Sequence, residues 1–341
     1  MLCGNGGRRP GPDNQKMLLG IARLASQSPL LEAKSGVEYF ELPARSVLNR
    51  CWSPRAPFPW TINPYRGCEF GCRYCYARYT HGFLELDGGR DFEEKIYAKG
   101  GAAELLRREL GRAVAGHIAI GTATDPYQPA ERRFRVTRSL LEVFARQRGR
   151  SLSITTKSDL VARDVDVLRE VARGNVVHVN VTVTTLDAGL ARKLEPRAPR
   201  PQLRLRAVQT LAAAGLSVGV FLNPILPGIT DSIPNLDGVA AAAKAAGALW
   251  LGGGILFLMP EAQGVFFPFL EEHFPTLAPR YRQRFTHSPY LRGEYPAMIR
   301  RRVAKIREKH GLAAAPQDYR PELWPVEDDS QERQAMLPGF P

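Results

Sequence analysis

Three of the five cysteines of this 341-residue chain, Cys68, Cys72 and Cys75, lie within eight residues at C-x3-C-x2-C spacing. Cysteines this close together in an intracellular protein are more often metal ligands than disulfide partners. A short loop wrapped around a metal would bring the three thiolates together. A closed zinc site or a fully protein-ligated iron–sulfur cluster needs four ligands, but no cysteine follows Cys75. The motif therefore predicts a metal site with one open coordination position.

Other interpretations of this motif stay open. A Cys3His zinc site would use His81, six residues after Cys75, and would make the chain a zinc-stabilised nucleic-acid-binding module without catalysis. A merely structural cysteine cluster is less favoured, because exposed free thiols beside arginines would be reactive. The neighbouring Arg66, Arg73 and Arg78 could offset thiolate charge or could be solvated loop residues.

Apolar segments alternate with helical patterns from Trp60 onward, which predicts βα units and a parallel sheet. The predicted strands cover residues 59–62, 117–122, 151–155, 176–183, 216–222 and 248–257. The predicted helices cover residues 102–112, 136–146, 160–172, 202–214, 236–246 and 297–309. This α/β pattern fits a partial (β/α)6 TIM-like barrel, although it leaves an open doubly wound sheet as an alternative. In both folds, the residues of the functional site lie at the carboxyl ends of the strands.

The composition predicts three regions in the chain. We expect a disordered tail over residues 1–35, a barrel with an N-terminal lead-in over 36–261, and a C-terminal helical extension over 262–341 that could close the barrel's open side. The uncharged run 207–230 contains glycines and prolines that favour a helix end, a turn and a buried strand over a membrane span. Five cysteines in this length do not form a disulfide framework, which predicts a reducing compartment. Since no membrane span is expected, we predict a soluble, cytoplasmic protein without membrane partners.

The cysteine motif resembles the signature of the radical S-adenosylmethionine (radical SAM) superfamily, which has the same spacing. The wider segment, from Asn63 to Cys68 and from Tyr74 to Arg78, is similar to the branch that contains spore photoproduct lyase and its relatives of unknown substrate. The resemblance extends over residues 40–260 and is tightest at 59–79 and 121–131.

This resemblance implies a partial barrel and a [4Fe–4S] cluster held by Cys68, Cys72 and Cys75, with S-adenosylmethionine (SAM) on the fourth iron. It also implies reductive cleavage of SAM to methionine and a 5′-deoxyadenosyl radical, which abstracts hydrogen from an unidentified substrate. Tyr74 is at the position that usually lies against the SAM adenine. An electron donor such as flavodoxin or ferredoxin would be a partner.

Polar residues at the predicted strand ends are candidate SAM contacts. By resemblance, Thr124 and Asp125 would meet the amino end of SAM, and Lys157 would meet its carboxylate. Asn180 and Asn223 could bind the ribose and carboxylate of SAM, or substrate. In the alternative, Thr124 and Asp125 cap a turn, Lys157 extends to solvent, and the asparagines satisfy local backbone. No catalytic residue is assigned.

The resemblance to spore photoproduct lyase does not extend to its substrate chemistry. That enzyme returns hydrogen from a cysteine near the end of its second strand, where this chain has Thr122. Direct lesion repair is therefore only an alternative. Residues 194–197 are also similar to the branch, without an assigned role. The net charge of +13 would attract polyanions, which favours DNA or RNA as substrate, although GC-rich genomes also enrich arginine.

Overall fold

The structure is a computed structural model that describes residues 18–319, except residues 54, 55 and 113. Its strands are β1 (Leu30–Lys34), β2 (Val37–Pro43), β3 (Leu48–Arg50), β4 (Trp60–Ile62), β5 (Tyr65–Arg66), β6 (Lys95–Gly100), β7 (His117–Ile120), β8 (Ser151–Thr156), β9 (Val176–Thr182), β10 (Ser217–Phe221) and β11 (Leu251–Gly252). Two 3-10 helices cover Tyr76–Leu84 and Asp159–Asp164. The α-helices are α1 (Gly20–Ser26), α2 (Arg90–Glu94), α3 (Ala102–Leu110), α4 (Glu131–Phe134), α5 (Val136–Phe144), α6 (Val165–Ala172), α7 (Ala188–Leu194), α8 (Pro201–Ala213), α9 (Ile233–Ala245), α10 (Pro260–His273), α11 (Ala278–Phe285) and α12 (Glu294–His310).

The main sheet contains six parallel strands in the order β4-β7-β8-β9-β10-β11, and β3 pairs antiparallel with β4 at one edge. The spatial order follows the order along the chain, as expected when successive βα units place each strand beside the last. Within the described ranges, no pairing joins β11 to β3. The predicted partial barrel is confirmed, because the strands are parallel and the sheet does not close.

Strand β9 shows why these segments become strands. Its sequence is rich in β-branched valine and threonine, and every residue from Val177 to Thr182 is buried. A strand covered on both faces needs apolar side chains on both, so the run is nearly continuous rather than alternating. The helices that follow the strands have local start and stop signals. Pro201 begins α8, and Gly215, at φ +77°, follows its end as the sequence predicts.

The structure contains a second sheet, in the order β1-β2-β6-β5, that the sequence pattern does not predict. Its strand β5 pairs antiparallel with β6 and ends one residue before Gly67, where the cysteine segment begins. The amide of Cys68 donates a hydrogen bond to the Phe92 carbonyl at 2.9 Å, just ahead of β6. This sheet therefore holds the entry to the cysteine segment beside the main barrel.

Three predicted elements differ from the structure. The predicted helix 160–172 begins as a 3-10 helix and becomes α-helical only at Val165. The predicted strand 248–257 is reduced to β11, because its next residues contribute only an isolated bridge between Ile225 and Ile255. The disordered tail expected over residues 1–35 is wrong for its second half, which forms α1 and β1, whereas residues 1–17 lie outside the described residues.

The C-terminal region contains α10, α11 and α12, and α12 includes the predicted helix 297–309. Beyond α12, Ala313 forms a parallel bridge with Trp250, so the chain returns to the β11 edge of the barrel. The proposed domain boundary at residue 261 stays a prediction, and the Pro- and Glu-rich stretch after residue 319 lies outside the described residues. No helix in the described part has both the length and the apolar character that crossing a bilayer requires.

Candidate functional site

The cysteine loop, defined as residues 67–76, follows the first parallel strand at the carboxyl edge of the barrel. Two glycines allow it to turn tightly. Gly67 has φ +79°, and a Cβ there would lie 2.8 Å from the Lys95 carbonyl oxygen. Gly71 has φ +63°, and a Cβ there would lie 2.7 Å from Glu93 Oε2. The loop thus depends on the conformational freedom and small size of glycine at both positions.

Backbone hydrogen bonds hold the loop so that it presents its thiols. The Cys75 amide donates to the Cys72 carbonyl at 3.2 Å, and the Arg73 amide donates to the Leu194 carbonyl at 2.9 Å. Cys68 and Cys72 are buried, Cys75 is half-buried, and none of the three forms a disulfide. The thiols are the only soft donors of the loop, and soft thiolates suit iron in clusters.

The three sulfurs influence one another electrostatically. Burial raises the pKa of the Cys68 thiol well above its usual value, and Asp125, Cys72 and Cys75 raise it further. Burial likewise raises the pKa of Cys72 to about 12, against the lowering effect of Lys157. Two buried thiolates and a half-buried third would repel one another, so ionisation of all three requires a strong cation, which bound iron would supply. The donor set therefore fits the implied cluster. Among the described residues, no group of three or more His, Cys, Asp and Glu side chains has the arrangement that holds a single metal ion.

His81, the fourth ligand of the alternative zinc site, lies elsewhere. Its ring is fully buried, with Nε2 3.2 Å from the Lys95 carbonyl oxygen and with edge contacts to Phe92 and Tyr97. Burial lowers its pKa to about 4, so the ring is neutral at pH 7. The contacts are those of a core histidine, and the Cys3His interpretation is not supported.

Arg78, two residues after the cysteine loop, has a structural role and is not a solvated residue. Its guanidinium is buried and donates to the carbonyl oxygens of Cys72 at 3.0 Å and Gly89 at 2.8 Å. It also pairs with Glu93 at 2.5 Å. These bonds fasten the cysteine loop to the segment before α2.

Tyr74, the predicted adenine contact, belongs to a buried network that we call the Glu195 cluster: Tyr74, Thr184, Glu195 and Arg204. The Tyr74 hydroxyl donates to Glu195 Oε1, Thr184 Oγ1 donates to the same oxygen at 3.2 Å, and Arg204 Nη2 lies 2.5 Å from Glu195 Oε2. Burial by itself would raise the pKa of Glu195, but Arg204 and Lys157 lower it overall. Glu195 is therefore a buried carboxylate that fixes the tyrosine next to Cys75.

Lys157 reaches the same region from the end of β8. Its Nζ lies 5.6 Å from the centroid of the Tyr74 ring, and no carboxylate lies within ion-pair distance of it in the described part of the chain. Burial by itself would lower the pKa of Lys157, but Cys72 and Glu195 raise it overall, so the ammonium stays charged. A half-buried ammonium without a paired anion is a suitable site for a ligand carboxylate.

Thr124 and Asp125 connect the loop after β7 to other parts of the site, and among their bonds only that from the Tyr127 amide to Asp125 is a local turn cap. Thr124 Oγ1 donates to the Gly67 carbonyl at 2.6 Å, which ties the loop after β7 to the cysteine loop. Asp125 accepts from Thr156 Oγ1 at 2.6 Å, from the Tyr127 amide at 2.9 Å and from the Lys157 amide at 2.7 Å. Only one of these bonds reaches Oδ2, so this oxygen retains an acceptor position for an ammonium group.

The side-chain oxygens of Asn180 and Asn223 also have partners within the protein. The Trp250 indole donates to Asn180 Oδ1 at 3.0 Å, and the Gly254 amide donates to Asn223 Oδ1 at 2.5 Å. The structure therefore groups Tyr74, Asp125 and Lys157 with the cysteines, whereas the two asparagine oxygens satisfy neighbouring donors. A role for either asparagine toward SAM stays a prediction.

Sequence reasoning missed Glu195, Arg204 and Gln128. Gln128 accepts from the Glu69 amide and donates to the Gly67 carbonyl, both at 3.0 Å, and so spans the cysteine loop. The similarity at residues 194–197 pointed to the right segment without indicating a partner. No local pattern could connect Glu195 with Tyr74, because 121 residues separate them along the chain.

A family model described as the radical SAM superfamily matches residues 62–236, more than half of the chain. An uncharacterized protein of Mycobacterium tuberculosis is 38% identical over 289 residues, which cover 84% of each chain. An uncharacterized protein of Methanocaldococcus jannaschii is 29% identical over 202 residues, 58% of this chain and 71% of that protein.

Solved structures of spore photoproduct lyase share the fold. A mutant of that enzyme with bound dinucleoside spore photoproduct superposes with a TM-score of 0.58 at 15% identity, covering 79% of this chain and 78% of the lyase chain. A second mutant, with bound AdoMet and dinucleoside spore photoproduct, has a TM-score of 0.57 at the same identity and coverage.

Proposed function

Since the chain belongs to the radical SAM superfamily, we propose that it is an enzyme that cleaves SAM reductively and uses the resulting radical to abstract hydrogen from a substrate. Cys68, Cys72 and Cys75 would hold the [4Fe–4S] cluster, with one iron left for SAM. When bound, the cluster supplies the electron that breaks a carbon–sulfur bond of SAM and leaves methionine and a 5′-deoxyadenosyl radical. The residues of this chain bind, orient and enclose these groups.

The observation that carries the proposal is the Lys157 ammonium beside Tyr74 and Cys72. The ammonium is half-buried, and no carboxylate lies within ion-pair distance of it in the described ranges, so it can accept a ligand carboxylate. The methionyl end of SAM carries a carboxylate and an ammonium, and Asp125 Oδ2 offers the complementary acceptor next to Lys157. We assign the carboxylate to Lys157 and the ammonium to Asp125.

By its position in the motif, Tyr74 would lie against the adenine, and the Glu195 cluster fixes the ring through its hydroxyl. The role of Glu195 is to position that ring. Thr124 and Gln128 would act through the cysteine loop, since both bind the Gly67 carbonyl oxygen rather than facing the thiols. Their function is to hold the loop against the strand ends.

The first experiment tests the cluster. After anaerobic reconstitution with iron and sulfide, the wild-type protein should be brown, contain about four irons per chain, and release 5′-deoxyadenosine from SAM with dithionite. Cys72→Ala should lose both the iron and the product. Cys51→Ala is the matched control, because Cys51 lies outside the loop and should be dispensable for both. Full 5′-deoxyadenosine formation by Cys72→Ala would refute the assignment.

The second experiment tests the SAM contacts without turnover. Lys157→Met should weaken equilibrium binding of SAM to the reconstituted, oxidised protein by about ten- to a hundredfold, the value of a charge-assisted hydrogen bond. Lys157→Arg, which keeps the charge, should lose less affinity. Equal SAM affinity in wild type and Lys157→Met would show that the ammonium does not bind SAM.

For the substrate, we propose nucleic acid, supported by the net charge of +13 and by nothing more specific. Binding of DNA and RNA oligonucleotides across a salt series tests it, because contacts with phosphates produce a steep salt dependence. Direct photoproduct repair lacks support. The residue at the position of the lyase's hydrogen-returning cysteine, Thr122, is bonded to Asn63.

A further inference from the structure

A cleft of about 680 Å³ opens beside the cysteine loop, and it is lined by arginines. We call it the arginine cleft and define it by Arg132, Arg192, Arg197, Arg200 and Arg206, with Asp159 as its acidic lining residue. The five arginines are exposed. They come from α4, α7, the segment before α8, and α8 itself.

Most of this positive charge is not neutralised. Arg197 lies 3.6 Å from Glu93 Oε2, and Arg192 donates to the Pro196 carbonyl at 2.8 Å. The side chains of Arg132, Arg200 and Arg206 make no hydrogen bond or ion pair with any described residue. In addition, α8 begins at the cleft, so its positive dipole end adds to the field. A concave surface with this charge favours an anionic partner.

The cleft shares Phe70 with the cysteine loop. Phe70 lines the cleft and is two residues from both Cys68 and Cys72, a chain distance of at most about 7 Å. The Arg197 amide donates to the Phe70 carbonyl at 3.2 Å. A partner seated in the cleft would therefore lie next to the loop that holds the proposed cluster.

We propose that the arginine cleft is the docking surface for an acidic one-electron carrier protein. The inference rests on the proposed function, because reductive SAM cleavage consumes one electron that this chain does not itself produce. In each productive encounter the carrier loses one electron and the cluster gains it, and no atom is transferred. Flavodoxins and ferredoxins belong to this class of partner.

The position of the cleft favours a carrier over a substrate. Arg206 lies on the exposed face of α8, whereas Arg204 on the same helix is buried and pairs with Glu195. A molecule that contacts Arg206 therefore lies against the face of α8 opposite the one that packs on the Glu195 cluster and Tyr74. An electron can cross the helix, but a substrate must contact the radical directly.

The lining of the cleft also disfavours single-stranded nucleic acid. Such sites combine a basic groove with aromatic rings on which bases stack, at about 1–3 kcal/mol per base. The aromatic residues of this cleft, Phe70 and Tyr127, are 2% and 0% exposed, so neither ring is available for stacking. The guanidinium groups are available for carboxylates, which they bind in a bidentate manner.

The test measures binding of a bacterial flavodoxin, in its oxidised form, to the reconstituted protein. The cleft variant is Arg200→Glu/Arg206→Glu, and the matched control is Arg108→Glu/Arg301→Glu, which makes the same change in net charge at exposed arginines outside the cleft. At low ionic strength, the cleft variant should have a Kd at least about tenfold higher than wild type, mainly through slower association. The control should stay within about threefold of wild type, as expected for charges outside the contact. Far-UV circular dichroism confirms that the variants are folded.

A second readout separates this inference from the proposed function. Dithionite should reduce the cluster of the cleft variant as fast as that of wild type, whereas reduced flavodoxin should act at least about tenfold more slowly. Absence of 5′-deoxyadenosine in the wild type with dithionite would refute the proposed function, independently of the flavodoxin-binding result. Equal flavodoxin affinity in the cleft and control variants would overturn the docking surface. So would a DNA oligonucleotide that binds the cleft arginines while flavodoxin does not.

Discussion

Breaking the ion pair between Glu195 and Arg204 should destabilise the protein strongly. Both residues are 1% exposed, and Arg204 Nη2 lies 2.5 Å from Glu195 Oε2. Two unit charges about 4 Å apart attract each other by about 4 kcal/mol at an effective dielectric of about 20. Removing one partner of a buried pair leaves the other charge without compensation and costs about 3–5 kcal/mol. We therefore expect Glu195→Gln to lower the free energy of unfolding by that amount.

A double-mutant cycle tests this reasoning with Glu195→Gln, Arg204→Met and the combined variant. Urea unfolding of the cluster-free proteins, followed by tryptophan fluorescence, measures each free energy. The combined variant removes both charges, so it should cost less than the sum of the two single changes by about 2 kcal/mol. A coupling energy below about 0.5 kcal/mol would refute the argument.

The same pair predicts a pH dependence. The pKa of Glu195 is lower in the folded protein than in the unfolded chain, because Arg204 and Lys157 together outweigh the effect of burial. Stability from this carboxylate is therefore present above the unfolded pKa of about 4.3 and is lost as the pH falls through the folded value. The difference between wild type and Glu195→Gln should be constant from pH 6 to 8 and shrink below about pH 4. A difference that grows on acidification would contradict this sign.

Further predictions concern the core around the site. His81→Phe should keep the wild-type iron content after reconstitution, because His81 does not face the thiols; loss of iron would revive the alternative ligand set. Since burial lowers the pKa of His81 to about 4, unfolding takes up a proton below about pH 6.5. Between pH 7 and pH 5, the free energy of unfolding of the wild type should therefore fall by about 2 kcal/mol more than that of His81→Phe. Urea unfolding midpoints at the two pH values measure this difference. Gly219→Ala should cost about 1–3 kcal/mol, because its Cβ would lie 2.2 Å from Trp250 Cε2. Gly264→Ala, which meets nothing within 4 Å, is the control; similar unfolding midpoints for both would refute the clash.

The site shows how far sequence reasoning extends. The motif placed the three cysteines on one loop after the first parallel strand, and the structure has that loop. Strand-end reasoning also brought Asp125 and Lys157 to the same edge, because parallel strands end together. The same reasoning selected Asn180, whose side-chain oxygen accepts from Trp250 in the core. Polarity at a strand end is visible in a sequence, but the partner that satisfies it is not.

The sequence by itself determined the order of βα units and the presence of an incomplete set of sulfur ligands. Both depend on short-range information, namely the alternation of apolar runs and the spacing of cysteines within eight residues. Only the tertiary structure decided that Tyr74 binds Glu195, that His81 is a core residue, and that arginines from three helices and a loop line one cleft beside Phe70. Those contacts join residues far apart in the chain. They form only when α8 packs against the sheet, which turns one face of α8 toward the core and the other toward solvent.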